Sequence, residues 1–390
     1  MLQRSMKNAF GIAVRLDAGL VGSYAVLVRL DAGLDAAENV LKQMRGVAGM
    51  SFWRANNAGR CVAPVMLLVL ASACAVAQTC TTQARMQPSV RDELAASALK
   101  LATAVQAGDV AALKAATVAE YANDFGPIEN VVQNTSDKLK GDTLQTTQIY
   151  ELDASGRAAG DTSDANFSCP LKDTTSETDF SIGSLPPGVY GFAMVEAVGG
   201  DHPWLLAFLL RKDGSEWKMA GFYPHAREAG GHNGAWYWAS ARERVRAKQI
   251  WLAWLYYGEA DALLRPAGFV TSTQLDKLRT EQHAAAPGEL LEGISGQVPL
   301  VLKAPDGAVF QLTAMSSEDS NNEVGLHLVL HYAASALVGA EPNRIRNAAV
   351  AKALLAAHPD LRQAYSAVIV FADTPGQNPS VLSLPMAEIP

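Results

Sequence analysis

The chain has 390 residues, of which 49% are hydrophobic and 18% are charged, and its formal net charge is −7. This length is enough for two or three hydrophobic cores, and the composition excludes a disordered chain. The negative charge makes phosphate backbones poor partners, so nucleic-acid binding is disfavoured.

Residues 50–77 carry the pattern of a secretory signal peptide. Arg54 and Arg60 precede a short apolar run, and Ala75-Val76-Ala77 forms an A-x-A cleavage site. The apolar run is shorter than the roughly 20 residues that span a bilayer. We therefore predict cleavage near Ala77-Gln78, a periplasmic or secreted location, and no transmembrane span in the mature chain.

Two features of the amino-terminal region qualify this prediction. Residues 1–49 precede the signal and contain VRLDAGL twice, which is too few copies for a repeat architecture. We interpret them as a non-native extension, with Met50 as the true start. The sequence before Cys74 weakly resembles a lipobox, so a lipoprotein anchored through Cys74 ranks second.

Of the four cysteines, only Cys80 and Cys169 remain after cleavage. Two thiols in an oxidising compartment predict one disulfide bond, and two independent thiols are the alternative.

The region from 88 to 227 predicts helices followed by antiparallel strands. Residues 88–124 show helical spacing of apolar side chains, with Asp109 as the cap of a second helix. Alternation over 143–225 predicts strands, and Asp213-Gly214 predicts a two-residue hairpin turn that pairs Leu210 with Trp217. In that register one face of the hairpin carries Trp204, Leu206, Phe208, Leu210, Trp217, Met219 and Tyr223.

Two stretches, AVQAGDVAALKAATVAEYA and LLAFLLRKDGSEWKMAGFYPHA, resemble the nuclear-transport-factor-two-like superfamily, which includes ketosteroid-isomerase-like enzymes. The resemblance covers about residues 88–227 and implies a cone-like α+β domain whose curved sheet surrounds a pocket. It implies a pocket and no particular reaction. The aromatic residues of the predicted face, Trp204, Phe208, Trp217 and Tyr223, are then the expected binding residues.

The rest of the chain predicts a helical connector over 232–290 and a smaller α+β domain over 297–390. Asn233 is expected to cap a helix that reaches about Tyr257, where Gly258 breaks it. The predicted fold class is therefore α+β, with a cone-like first domain, a helical connector and a second small domain.

A nucleotide site is not expected, although Asp373-Thr374-Pro375-Gly376 spells the D-x-x-G of GTPases. No glycine in the chain precedes a lysine, so the phosphate-binding loop is absent, and Pro375 and Gly376 favour a turn. His327 and His331 lie on a predicted strand, where four residues span roughly 13 Å, too far for one metal. We expect both on the less buried face, and no metal or cofactor.

Catalytic candidates are weak. Glu196 shares a strand face with apolar residues, so burial would make it a candidate general base, but we favour a solvent position at the strand end. Tyr121 and His225 are the other candidates. An enzyme should bury such an acid beside them in an enclosed cavity.

The sequence thus favours a non-catalytic protein that binds a small apolar ligand or an envelope protein. The alternative is an isomerase, dehydratase or hydrolase that uses the same pocket. An assembly protein would instead expose apolar surface around Trp236, Trp238, Trp251 and Trp254.

Overall fold

The chain folds as an α+β protein, which confirms the predicted class. The computed structural model describes residues 78–172, 174–200, 202–319, 325–336 and 339–390, and these belong to one compact unit. The extension predicted over 1–49 and the signal peptide predicted over 50–77 lie outside the described residues. No helix in the described ranges is long and apolar enough to cross a membrane.

The described residues form eight α-helices. They are α1 (Pro88–Gln106), α2 (Val110–Ala115), α3 (Ala119–Ala122), α4 (Gly126–Ser136), α5 (Gly234–Arg246), α6 (Ile250–Leu264), α7 (Thr273–Ala284) and α8 (Ala340–Ala357).

The strands form three larger sheets and one two-stranded ribbon. They are β1 (Thr79–Thr82), β2 (Thr143–Asp153), β3 (Ala165–Pro170), β4 (Glu177–Ile182), β5 (Val189–Val198), β6 (Trp204–Asp213), β7 (Glu216–Ala226), β8 (Glu228–Ala229), β9 (His232–Asn233), β10 (Val270–Ser272), β11 (Leu300–Lys303), β12 (Val309–Asp319), β13 (Leu326–Ala333), β14 (Tyr365–Asp373) and β15 (Ser380–Pro385). The first sheet has the order β1-β2-β5-β6-β7, the second β10-β4-β3 and the third β11-β12-β13-β14-β15; β8 pairs with β9.

Helices α1, α2 and α4 pack on one face of the first, antiparallel sheet. The apolar stripe of α1 buries Leu94, Ala98 and Leu101 in the same core as Leu206 and Phe208 of β6. The predicted cap of α2 at Asp109 is confirmed, because the Asp109 carboxylate accepts a hydrogen bond from the Ala112 N–H at 2.9 Å.

The β6–β7 hairpin is present, but its predicted register is wrong. The turn residues are Gly214 and Ser215, so Leu210 pairs with Met219 and not with Trp217. A β-bulge at Ala220 then adds one residue to β7 and reverses the alternation beyond it. Tyr223 therefore lies on the opposite face from Trp204, where it contacts Phe269.

The second sheet and the segment after α6 cover that opposite face. Strand β10 comes from the region predicted as a helical connector, and it pairs antiparallel with β4. Phe269 makes an edge contact with Phe192 of the first sheet, with the ring centroids 5.6 Å apart. The predicted disulfide is confirmed: Cys80 of β1 is bonded to Cys169 of β3, with their Cα atoms 5.3 Å apart.

Helices α5 and α6 form an antiparallel hairpin whose ends differ from the prediction. Asn233 caps α5 as expected, since its side-chain oxygen accepts a hydrogen bond from the Trp236 N–H at 3.0 Å. The helix is interrupted at Lys248, however, and α6 continues through Gly258 to Leu264. One glycine costs a helix interior only about 1 kcal/mol, which is less than the burial of the apolar side chains of α6 contributes.

The third sheet packs against α6 and α8. Strands β13 and β14 are parallel and are joined by α8, while their other neighbours run antiparallel. Leu328 and Leu330 are fully buried and His327 and His331 only partly, which confirms the predicted faces of β13. Gly376 has φ +77°, so the D-x-x-G stretch is a turn as predicted, but it leads into a further strand, β15.

Candidate functional site

A half-open groove lies where three strands of the first sheet end beside the α5–α6 hairpin. We call it the Trp204 groove; its volume is about 270 Å³. It is lined by Glu196, Val198, Pro203, Trp204, Arg227, Glu228, Asn233, Gly234, Ala235, Leu263 and Leu264. Such a volume lies just below the range of about 300–1,000 Å³ that is usual for ligand sites in proteins.

The groove has two walls, one from the first sheet and one from the α5–α6 hairpin. β5 ends and β6 begins at the groove, and β7 ends there, so one wall is a row of strand termini. The other wall begins at Gly234, where α5 starts directly against the end of α6. A Cβ atom at Gly234 would lie 2.6 Å from Leu264 Cγ, so only glycine permits this approach.

One ion pair crosses the polar side of the groove. The Arg227 guanidinium lies 3.7 Å from the Glu196 carboxylate, and each side chain keeps about a third of its surface exposed (32% and 34%). The Arg227 backbone N–H also donates to the Pro203 carbonyl at 2.8 Å, which fixes the chain at this point. A partly exposed pair at this distance is weak, so both groups can also bind a ligand.

The apolar floor of the groove is the Trp204 indole. It belongs to the core beneath α1–α4 and is 8% exposed. The Lys138 ammonium lies 5.0 Å from the centre of its ring. Burial lowers the pKa of Lys138, opposed by the nearby Asp319 carboxylate. The floor is therefore a fixed, apolar surface beside a polar rim.

The three catalytic candidates do not converge. Glu196, Leu205 and His225 are aligned across β5, β6 and β7 in one cross-strand row. Two strand spacings, about 10 Å, separate Glu196 from His225, with Leu205 between them. The His225 Nε2 atom is shielded from solvent and has no hydrogen-bond partner among the described residues. Burial, together with the nearby Arg227 charge, lowers the pKa of His225 to about 4, so the imidazole is neutral near pH 7.

Tyr121 lies elsewhere and is 41% exposed. Its neighbour Glu120 forms a two-point ion pair with Arg211, at 2.9 and 3.1 Å. Arg211 pairs with Tyr190 near the start of β5, six residues or about 20 Å from Glu196. Glu196 is partly solvent-exposed, as expected for a strand end.

The four predicted binding residues are also distributed over different surroundings. Phe208 is fully buried and Trp217 is 9% exposed, both in the core beneath α1–α4. Tyr223 lies on the other face because of the bulge at Ala220. Only Trp204 lines the groove.

Several residues of the groove were not predicted from the sequence. Arg227, Leu263 and Leu264 lie outside the strands that suggested a pocket, and Leu263 and Leu264 are more than 60 residues along the chain from Glu196. The one sequence signal that could have pointed to these residues was the position of Arg227 directly after the aromatic strand β7. Within the described ranges, no cluster of three His, Cys, Asp or Glu side chains could hold a metal ion.

No protein-family model, no curated protein and no solved structure matches this chain.

Proposed function

We propose that this chain is a non-catalytic binding protein that holds a small, neutral, mainly apolar ligand in the Trp204 groove. The observation that carries the proposal is the arrangement of one apolar floor and one weak ion pair within about 270 Å³. Trp204, Leu263 and Leu264 would contact the apolar body. Arg227 can donate to a hydroxyl oxygen and Glu196 can accept from it.

A neutral ligand is favoured over an anionic one. The Glu196–Arg227 pair already balances its own charge, an anionic ligand would separate Arg227 from its counter-ion, and Glu228 adds a second carboxylate to the lining. A six-carbon alcohol such as 1-hexanol fits this description and the size of the groove.

The proposal is tested by filling the groove. Ala235 is exposed and lines it near the start of α5, so Ala235→Phe should occupy the ligand volume without disturbing a core. The matched control is Ala239→Phe, at an exposed position of the same helix that does not line the groove. We expect saturable NMR shifts at Arg227 and Leu264 on titration with 1-hexanol, retained in Ala239→Phe and lost in Ala235→Phe. Shifts that persist in Ala235→Phe, or no saturable shifts in the unmodified protein, would refute the site.

We further propose export, as the sequence predicts, with cleavage near Ala77-Gln78 or, second, anchoring through Cys74. The Cys80–Cys169 disulfide supports this, because disulfides persist in oxidising compartments. The likeness to the nuclear-transport-factor-two-like superfamily stays a proposal; its support is the packing of α1, α2 and α4 on one face of an antiparallel sheet.

The two alternatives have different support. An envelope partner is favoured by Trp236, which is 39% exposed and stacked on His232 with ring centroids 3.6 Å apart. An isomerase, dehydratase or hydrolase has less support, since Glu196, His225 and Tyr121 lie about 10 Å or more from one another or in different regions.

A further inference from the structure

A second, larger cleft lies at the other end of α6, where three distant segments of the chain meet. Its volume is about 540 Å³, within the range of small-ligand sites. We call it the Trp251 cleft. It is lined by Lys248, Gln249, Ile250, Trp251, Ala286, Pro287, Gly288, Glu289 and Asp360.

Side-chain contacts hold the walls of the Trp251 cleft in place. The Trp251 indole stacks on the His358 imidazole, with ring centroids 3.9 Å apart. Gln249 accepts a hydrogen bond from Arg244 Nη1 at 2.8 Å and donates one to Gln363 Oε1 at 3.4 Å. The start of α6 is thus tied to the carboxyl-terminal segment, and the cleft is formed before any ligand arrives.

The charges that line the cleft have opposite signs and lack internal partners. Lys248, Glu289 and Asp360 make no ion pair with another side chain in the described part of the chain. Both carboxylates lie near His358, where they act against the effect of burial, which lowers the pKa of that imidazole. His358 is therefore mainly neutral near pH 7 and does not balance them.

We propose that the Trp251 cleft binds a short zwitterionic peptide with apolar side chains. Its ammonium group would lie between Glu289 and Asp360, its carboxylate against Lys248, and its side chains against Trp251 and Pro287. This complementarity accounts for one cation, two anions and an indole in a single cleft. The inference concerns a different site from the Trp204 groove and does not depend on it.

The test uses three matched ligands and isothermal titration calorimetry on the full chain. Leu-Leu carries both terminal charges, Leu-Leu amide lacks the carboxylate, and acetyl-Leu-Leu lacks the ammonium group. We expect saturable millimolar or tighter binding of Leu-Leu. Loss of either terminal charge should weaken binding about tenfold or more, because a hydrogen bond to a charged group contributes about 1.5–3 kcal/mol.

Variants then assign each charge to a side chain. Glu289→Gln and Asp360→Asn should weaken the binding of Leu-Leu but leave the binding of acetyl-Leu-Leu unchanged. Lys248→Met should weaken the binding of Leu-Leu but leave the binding of Leu-Leu amide unchanged. Glu292→Gln is the control, because Glu292 lies in the same connection, is exposed and does not line the cleft. Absent binding, equal binding of the three ligands, or a loss in Glu292→Gln equal to that in Glu289→Gln would each overturn the proposal. Ala235→Phe, which blocks the Trp204 groove, should leave Leu-Leu binding intact.

Discussion

Glu259 is an acidic residue buried between helix α6 and strand β12. It lies on α6, is only 7% exposed, and faces Glu318 and Asp319 of β12. Burial first, and then the Asp319 and Glu318 charges, raise its pKa to about 8. Tyr237 and Tyr365 are close enough for Glu259 to contribute to their own raised pKa values. A carboxyl group in such surroundings is protonated near pH 7.

This buried acid should make the fold less stable as the pH rises. The folded pKa of Glu259 is above the unfolded value of 4.5, so the folded state binds more protons between pH 4.5 and about 8. Over that window the free energy of unfolding should fall by at most about 1.4 kcal/mol per pH unit and then level off. Glu259→Gln removes the ionisation. In urea denaturation its stability relative to the unmodified chain should increase from pH 5 to 8, while exposed Glu292→Gln follows the unmodified chain. Parallel pH profiles for Glu259→Gln and the unmodified chain would contradict a buried, ionisable Glu259.

At the scale of elements, the break between α5 and α6 depends on one unfavourable residue. Lys248 has φ +60°, and the Lys248 and Gln249 N–H groups donate to the carbonyls of Val245 and Arg244, each at 3.0 Å. This is the Schellman arrangement that normally places glycine at the residue with positive φ. The sequence offers no glycine there, which is why the helix end was not predicted.

Lys248→Gly should therefore stabilise the fold. Relief of the left-handed conformation exceeds the added entropy of glycine by about 0.5–1 kcal/mol. Ala247→Gly, one residue earlier, should destabilise by a similar amount, because Ala247 has φ −78° and gains nothing from glycine. Urea midpoints of the two variants should move in opposite directions. Equal shifts of the same sign would show that the backbone conformation at Lys248 is not strained.

Local signals in the sequence were reliable where a single residue decides the structure. The caps at Asp109 and Asn233 and the turn at Gly376 were predicted correctly, because each depends on chemistry within a few residues. The predicted register of β7 was wrong for two reasons: the turn lies one residue later than Asp213-Gly214, and the bulge at Ala220, which reverses the faces beyond it, has no local sequence signature. Gly258 was interpreted as a stop although tertiary packing keeps it inside α6.

At the scale of the molecule, the candidate site was only half predictable. Glu196 and Trp204 were identified from strand alternation, but strand alternation cannot show that Leu263 and Leu264 of α6 complete the groove. The same limit applies to Glu259, for which an acid within the apolar run of α6 was the available signal. Contacts between segments distant in sequence decide these features, and such contacts cannot be predicted from the local pattern of a single sequence.

The Cys80–Cys169 disulfide is the covalent link between the first and second sheets. It joins β1, a four-residue edge strand, to β3 across a sequence separation of 89 residues. Closing a loop of that length restricts the unfolded chain, which corresponds to roughly 4–5 kcal/mol of stabilisation in the chain-entropy model. Cys169 is also fully buried in the core between the two sheets, so the bond holds β1 against that core.

Removal of the disulfide should destabilise the whole fold and release β1 first. For the Cys80→Ser/Cys169→Ser double variant we expect the free energy of unfolding to fall by about 4 kcal/mol, and reductant to have no further effect on its unfolding midpoint. Hydrogen exchange should show early loss of protection at Thr79–Thr82, because among the described strands β1 pairs with β2 alone. Reductant should shift the unmodified chain toward the double variant. A reduced chain as stable as the oxidised one would show that packing between the sheets, and not the covalent link, holds β1 in place.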